Sequence, residues 1–189
     1  MHRTVPRLLK AATPTSRQNL LDRIIRVDHV GELAADRIYA AQTAIFSGKP
    51  IANVVEKMWA EEKEHLHTME RLCARHDVSP SIFVPVFSLA AYALGAVTAL
   101  AGQEAAMACT VAVEDLIEKH YNDQMKDLIA DDPEVHSSLL NDLKRLRDEE
   151  VEHHNTGVAH DGLRAPNYEA LKLVIQTGCK GAIWLAERM

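Results

Sequence analysis

Cysteine is scarce in this chain, and what there is lies scattered. Cys73, Cys109 and Cys179 are far apart and form no Cys-x-x-Cys pair. That excludes a disulfide framework and points to buried free thiols in a reducing compartment. Nucleotide fingerprints are missing too: there is no G-x-G-x-x-G and no Walker motif to cradle phosphates. Basic surplus is absent, with a net charge of -6 and no basic stripe interleaved with aromatics, so nucleic acid is not a partner. No stretch sustains two-residue alternation of hydrophobicity, which removes β-strands from the reading. What remains is ordinary for a globular protein, 47% apolar and 25% charged over 189 residues, enough for one domain with a proper core.

Two local absences say more. Acidic residues are missing before Asp22, while Arg3, Arg7, Lys10 and Arg17 lie among several Ser and Thr. This is the composition of a mitochondrial transit peptide, and it marks residues 1–19 as a transit peptide or disordered leader ahead of one domain over 20–189. Charge of either sign is missing from Val78 to Gln103. By length this stretch can cross a bilayer, which needs about 20 apolar residues.

The rest is helix broken by short punctuation. Helical spacing runs from about Leu20 to Phe46, where Gly48-Lys49-Pro50 stops it, and again from about Ile51 to Arg75. Further helices are expected over about Phe83–Ala101, Gln103–Ala130, Pro133–Val158 and Asn167–Arg188. The fold class is all-α.

One stretch organises the chain. Leu139, Leu143 and Leu146 run at helical steps into Glu150, His153 and Gly157. The face that periodicity buries therefore turns ionisable, and an unpaired buried carboxylate is costly. Glu150 and His153 are one helical turn apart on one face, so both reach a single ion.

The second helix offers two such pairs. Met58, Glu62, His65, Met69 and Leu72 share an apolar face, whereas Ala60, Glu64, His67 and Arg71 share a polar one, so Glu62/His65 points inward. In the first helix Leu21, Ile25, Asp28, Glu32 and Tyr39 share a face interrupted by Glu32. In the fourth, Met107, Val111, Glu114, Ile117 and Tyr121 do so around Glu114. The order is Glu, Glu-x-x-His, a long connection, Glu, Glu-x-x-His, an internal duplication of a helix pair. Four carboxylates and two imidazoles are the ligand set of a dinuclear carboxylate site in a four-helix bundle. The charges of two divalent ions cancel those of four carboxylates, leaving a site that can be buried, and one imidazole per ion leaves positions open.

The ligand set also constrains the uncharged segment. A single membrane crossing there would put Glu32, Glu62 and His65 on one side and Glu114, Glu150 and His153 on the other. Six ligands of one site cannot be divided so. The segment is expected instead as the crossover of the bundle, lying on a membrane surface or against a partner.

Longer motifs carry a resemblance. Ile25-Arg-Val-Asp-His-Val-Gly-Glu-Leu33, Met58-Trp59 before Glu61-Glu-Lys-Glu-His65, Ala106-Met-Ala-Cys-Thr-Val-Ala-Val-Glu114, Asp148-Glu-Glu-Val-Glu-His-His154 and Gln176-Thr-Gly-Cys-Lys180 resemble the demethoxyubiquinone hydroxylase family of ubiquinone biosynthesis. These are mitochondrial ferritin-like di-iron monooxygenases, and the likeness runs from about Leu20 to the C-terminus. It implies a ferritin-like four-helix bundle with an apolar crossover helix and an additional C-terminal helix. It implies two irons on Glu32, Glu62, His65, Glu114, Glu150 and His153, with His120 and Tyr121 on the substrate side. Asp115 and Gln103 depart from the family pattern, where Glu and Lys are expected, and neither is a ligand.

The implied reaction is hydroxylation of the ring of demethoxyubiquinone, a polyprenyl quinone, with dioxygen as oxidant and NADH as source of electrons. The implied setting is the matrix side of the mitochondrial inner membrane, held peripherally, as a homo-oligomer and with a lipid-binding protein of the ubiquinone-biosynthesis complex. Two other classes stand beside this reading. One is a ferritin-like iron store or ferroxidase, which would have a polar exterior. The other is a non-catalytic membrane-associated adaptor, which would lack some of the six ligands.

Overall fold

The computed structural model describes residues 14–189, and most of the leader composition lies outside that range. The described residues form six helices, α1 (Pro14–Phe46), α2 (Ala52–His76), α3 (Val84–Ala101), α4 (Gln103–Asp131), α5 (Ser137–Ala159) and α6 (Tyr168–Ala186), with a 3-10 turn at Gly162–Arg164 and no strand. The all-α expectation holds. α1 packs along α2 and α4 along α5, giving the two antiparallel pairs of a ferritin-like bundle.

The boundaries shift where side chains intervene. α1 is already helical from Pro14, ahead of the expected start near Leu20, and the residues after it find partners. Arg17 Nε lies 2.6 Å from Asp131 Oδ2, and Gln18 Nε2 donates to the His76 carbonyl at 3.1 Å. Buried His136 grips the same Asp131 carboxylate at 2.7 Å, so α1, α4 and α5 are clamped at this end. α5 starts at Ser137 rather than Pro133, since the Asp132 carboxylate accepts the Glu134 and Val135 N–H groups at 3.2 Å and holds a turn.

The inward faces lie where periodicity puts them. The buried residues of α5 are Leu139, Leu143, Leu146, Glu150, His153 and Gly157. In α2 they include Met58, Glu62, His65, Met69 and Leu72, while Ala60, Glu64, His67 and Arg71 are exposed. α4 departs from a single stripe: every residue from Ala106 to Glu114 is buried, because α3, α5, α6 and the 3-10 turn surround it.

The apolar crossover helix α3 lies along α1 and enters α4 at Gly102, whose φ of 121° no other residue adopts readily. Gly95 fixes the crossing. A Cβ there would collide with the Ile38 backbone, reaching 2.8 Å from its Cα. Only the small face of α3, with Ala91, Gly95, Thr98 and Ala99, is buried. Val86, Leu89, Val97 and Leu100 are more than 60% exposed. α3 is long and apolar enough to cross a membrane, yet its other face is built into the bundle.

α6 closes the molecule over α1 and α4. Asp115 is its anchor. Its carboxylate meets Lys172 Nζ at 2.9 Å and accepts from Gln176 Nε2 at 2.9 Å, both on α6. Cys73 and Cys109 are buried free thiols as expected, whereas Cys179 on α6 is half-buried.

Candidate metal centre

Four helices bring the six candidate ligands to one point in the bundle. α1 supplies Glu32, α2 supplies Glu62 and His65, α4 supplies Glu114, and α5 supplies Glu150 and His153; none is more than 3% exposed. Their ligand atoms fall into two overlapping groups, Glu32, Glu62, His65 and Glu150, then Glu62, Glu114, Glu150 and His153. Within each group these atoms lie within 4.8 Å of one another. Glu62 and Glu150 belong to both groups, and each group has one imidazole of its own.

The imidazoles turn Nδ1 inward. His65 Nδ1 lies 2.9 Å from Glu150 Oε1, 3.5 Å from Glu32 Oε2 and 3.6 Å from Glu62 Oε2. His153 Nδ1 lies 2.9 Å from Glu62 Oε1 and 3.1 Å from Glu150 Oε2. Their Nε2 atoms point the other way, to carboxylates of the facing helix.

The electrostatics are those of a carboxylate cage balanced by protons. Burial pushes the Glu114 carboxyl well above its ordinary range, and the charges of Glu150 and Glu62 push it further. Burial raises Glu32 also, against the lowering effect of the nearby His65 imidazole. For His153, burial acts downward, but its bond to Glu150 and the adjacent Glu62 carboxylate outweigh that and carry it up to about 12. His65 is raised in the same way by Glu150, Glu32 and Glu62, again against burial.

The donor set fits a pair of divalent ions. Among the described residues, both Glu62 oxygens and Glu32 Oε2 are buried without accepting a hydrogen bond. His153 Nδ1 sits close to Glu62 Oε1 as an ion pair but out of line for a hydrogen bond. Orphaned carboxylate oxygens in a core are rare, and oxygen donors beside imidazole nitrogens are what a divalent first-row ion takes.

A second layer completes the cage. Tyr121 on α4 donates its hydroxyl to Glu32 on α1, and Tyr39 on α1 donates to Glu114 on α4 at 3.2 Å. Burial raises both phenols well above their ordinary value, so they remain donors. Each tyrosine lies two turns beyond its own helix's glutamate and serves the other helix's. The spacing was visible in the sequence, but a single helix cannot reveal an exchange between two.

The site opens on one side. A cavity of about 500 Å³ runs between α1, α3, α4 and α6. Its walls are apolar, with Val27, Ile38, Phe87, Leu94, Ile175 and Ile183 among them. Its polar lining is Asp28, Glu32, His120 and Tyr121, gathered at the metal-centre end. His120 and Tyr121 thus both border the cavity. Asp28, treated by periodicity as one more member of a buried face, is a missed member of this group. Its Oδ1 accepts from Gln124 Nε2 at 2.6 Å, which also meets His120 Nε2 at 2.8 Å, while Asp28 Oδ2 has no partner among the described residues. Burial holds the Asp28 carboxyl well above its ordinary value.

Known proteins resemble this chain in sequence over most of its length. The model of the family "Ubiquinone biosynthesis protein COQ7" matches residues 19–186. A protein of Caenorhabditis elegans named "NADPH-dependent 3-demethoxyubiquinone 3-hydroxylase, mitochondrial" is 64% identical over 179 residues, covering 95% of this chain and 96% of that protein. The Homo sapiens protein of the same name is 49% identical over 89% of this chain and 78% of its own length. The "5-demethoxyubiquinone hydroxylase, mitochondrial" of Saccharomyces cerevisiae is 39% identical, again over 89% of this chain and 78% of its own. A buried Glu and Glu-x-x-His set in duplicate, beside an apolar cavity, on a sequence matched over nearly its full length: the chain belongs to the COQ7 family.

Proposed function

We propose that this chain is a di-iron monooxygenase that hydroxylates the ring of a demethoxyubiquinone. The observation that carries the reading is the junction of cage and cavity, since Glu32 and Tyr121 belong to both. The balance of the reaction is a ring C–H, dioxygen, two electrons and two protons giving a ring C–OH and water. Two irons on Glu32, Glu62, His65, Glu114, Glu150 and His153 supply dioxygen activation when bound. The apolar walls take the polyprenyl tail and keep water from the ring. Asp28, His120 and Tyr121 face the head of the cavity, where a quinone's oxygens need polar partners.

The electrons come from a reduced nicotinamide dinucleotide. The names of the Caenorhabditis elegans and Homo sapiens relatives specify NADPH, and the resemblance in sequence implies NADH. Location follows from the same substrate, because a polyprenyl quinone is confined to a bilayer. The reading places the chain in mitochondria, attached peripherally to the matrix face of the inner membrane. What supports attachment is the exposed row of Leu89, Val97 and Leu100 on α3, with Leu173, Val174 and Trp184 exposed on α6. A second copy and a lipid-binding partner belong to this proposal as occupants of surfaces near that row. An iron store has no use for an apolar cavity ending at its ligands, and an adaptor has no reason to keep all six.

The test is product analysis. Iron-loaded protein, a short-tailed demethoxyubiquinone, NADPH or NADH, and isotopically labelled dioxygen are expected to give a hydroxylated ring with one labelled oxygen. A protein that holds two irons and forms no such product, or takes up iron far beyond two per chain, would overturn the reading.

A further inference from the structure

Each inward-facing imidazole has a second nitrogen, and its partner comes from the opposite half of the molecule. His65 on α2 directs Nε2 at Glu149 Oε2 on α5, 2.8 Å away. His153 on α5 directs Nε2 at Glu61 Oε2 on α2, 2.9 Å away. Each of these carboxylates immediately precedes a shared glutamate of its own helix, Glu150 or Glu62, yet serves the other helix's histidine. Each is steadied by a cation one turn earlier on its own helix. Arg145 Nη1 is 2.8 Å from Glu149 Oε2, and Lys57 Nζ is 3.5 Å from Glu61 Oε1. The sequence therefore carries Lys57-x-x-x-Glu61-Glu62-x-x-His65 and Arg145-x-x-x-Glu149-Glu150-x-x-His153, one pattern used twice.

We propose that Glu61 and Glu149 are positioning residues of the centre, each holding the opposite histidine with Nδ1 toward the ions and so tying each cation position to both halves of the bundle. The reason lies in imidazole itself. A neutral ring has one N–H and one lone pair, and only the lone pair binds a cation. A carboxylate that accepts the Nε2–H leaves the Nδ1 lone pair for the ion, fixes the ring plane and raises its basicity. The exchange also predicts an inversion. Glu149, a residue of α5, governs the position that holds His65 of α2, and Glu61 governs the position that holds His153. Glu64 and Glu152, which occupy matching places one turn on, are exposed and make no such contact among the described residues.

This inference rests on the reading that the cage holds two divalent cations, and the test separates the two. The full chain is loaded with cobalt(II), the affinity of each ion is measured by titration, and the exchangeable imidazole N–H protons, shifted by the paramagnetic ion, are followed by NMR. The unaltered chain is expected to bind two ions and show two protected N–H signals. Glu149→Ala is expected to lose the His65 signal to exchange and to weaken one ion by about 10–100-fold, leaving the other near its original affinity. Glu61→Ala is expected to do the same for the His153 position. Glu149→Gln, which keeps an acceptor oxygen, is expected to fall between, with helical content unchanged. Glu152→Ala removes the same charge from the same helix and is expected to change neither signal nor affinity. Two ions bound as in the unaltered chain, with both signals intact in Glu149→Ala and Glu149→Gln, would overturn this inference alone. Equal weakening by Glu152→Ala would reduce it to surface charge and overturn it as well. An unaltered chain that binds no cation would bring down the reading of the cage, and this inference with it.

Discussion

The two halves of the bundle are copies in what they hold and opposites in what they face. α1 and α2 contribute Glu32, Glu62 and His65, and α4 and α5 contribute Glu114, Glu150 and His153. Even the tyrosines are exchanged between Glu32 and Glu114. The surroundings then diverge. Glu32 and Tyr121 border the apolar cavity, and Glu114 and Tyr39 do not. Near the Glu114 half, backbone packs on backbone. A Cβ on Gly157 would lie 2.8 Å from Val111 Cγ2 and 3.1 Å from the Met107 carbonyl, and one on Gly162 would lie 2.9 Å from that same carbonyl. Duplication supplies a cage of four carboxylates and two imidazoles that could hold two ions, while loss of symmetry around it leaves one face open to an apolar cavity.

The shared carboxylates test the symmetric part and carry the largest expected effect. Glu62 and Glu150 sit in both ligand groups, so Glu150→Ala is expected to lose both ions. Glu114→Ala should lose chiefly the one beside His153. Metal analysis of the purified variants, with circular dichroism to confirm retained helix, decides this. Equal losses in the two variants would mean that Glu150 is not shared.

Acid should act on both halves alike. In the ion-free protein Glu32, Glu114, His65 and His153 all hold protons more tightly than in the unfolded chain. The folded state then binds more protons, and its stability falls as pH rises from the unfolded carboxyl range, through the unfolded histidine range, toward about 12 for His153. Bound ions reverse the sign, because they need those protons gone. The thermal shift between loaded and ion-free protein is therefore expected to widen from pH 6 to pH 8. A shift that is flat or narrows would show that the imidazoles do not exchange protons for ions.

Packing tests the sealed half. Gly157→Ala pushes a methyl group into Val111 and the Met107 carbonyl, and overpacking of this kind costs about 1–3 kcal/mol. In a chain of this size that is a loss of roughly 2–4 °C in Tm per kcal/mol. Gly178→Ala is the control on the open half, since a Cβ there meets nothing within 4 Å. A Gly157→Ala protein as stable as Gly178→Ala would mean the seal is loose.

The paired tyrosines separate cage from cavity. Tyr39→Phe and Tyr121→Phe each remove a hydroxyl donor from a buried carboxylate, worth about 1 kcal/mol. Their effects on ion affinity should match. Turnover of a quinone should fall further for Tyr121→Phe, which alone of the two lines the cavity. Equal loss of turnover would place both tyrosines in the cage and neither at the substrate.

Much of this was legible in the sequence because helical periodicity reports burial directly. The α5 face from Leu139 to Gly157 and the choice of Glu62/His65 follow from spacing alone, and the structure buries those residues. The cavity was not legible. It is made by α3 and α6 lying across α1, and no spacing within one helix encodes that crossing. Gly95 against Ile38 and Asp115 against Lys172 and Gln176 set it, and each is a contact between distant parts of the chain. Asp28 was hidden for a related reason. Its significance comes from an unpartnered oxygen beside Gln124 and His120 of another helix.

The smallest expected effect tests the periodicity argument itself. Glu64 and His67 repeat the Glu-x-x-His motif on the same helix as Glu62 and His65, displaced by two residues. That step moves the pair off the buried face of α2. Glu62 and His65 are 0% and 1% exposed, whereas Glu64 and His67 are both exposed, and among the described residues His67 Nδ1 finds only Glu70 at 3.5 Å. At the surface the imidazole and carboxylate stay hydrated, an ion pair there is worth about 0–1 kcal/mol, and one site of this kind binds a cation weakly. Replacing both residues with alanine is therefore expected to leave ion content unchanged and stability within about 0.5 kcal/mol. The same double replacement at Glu62 and His65 should empty the cage. A drop in ion content in the Glu64→Ala, His67→Ala protein would mean that the motif matters and its face does not, and the assignment of all six ligands by buried face would have to be withdrawn.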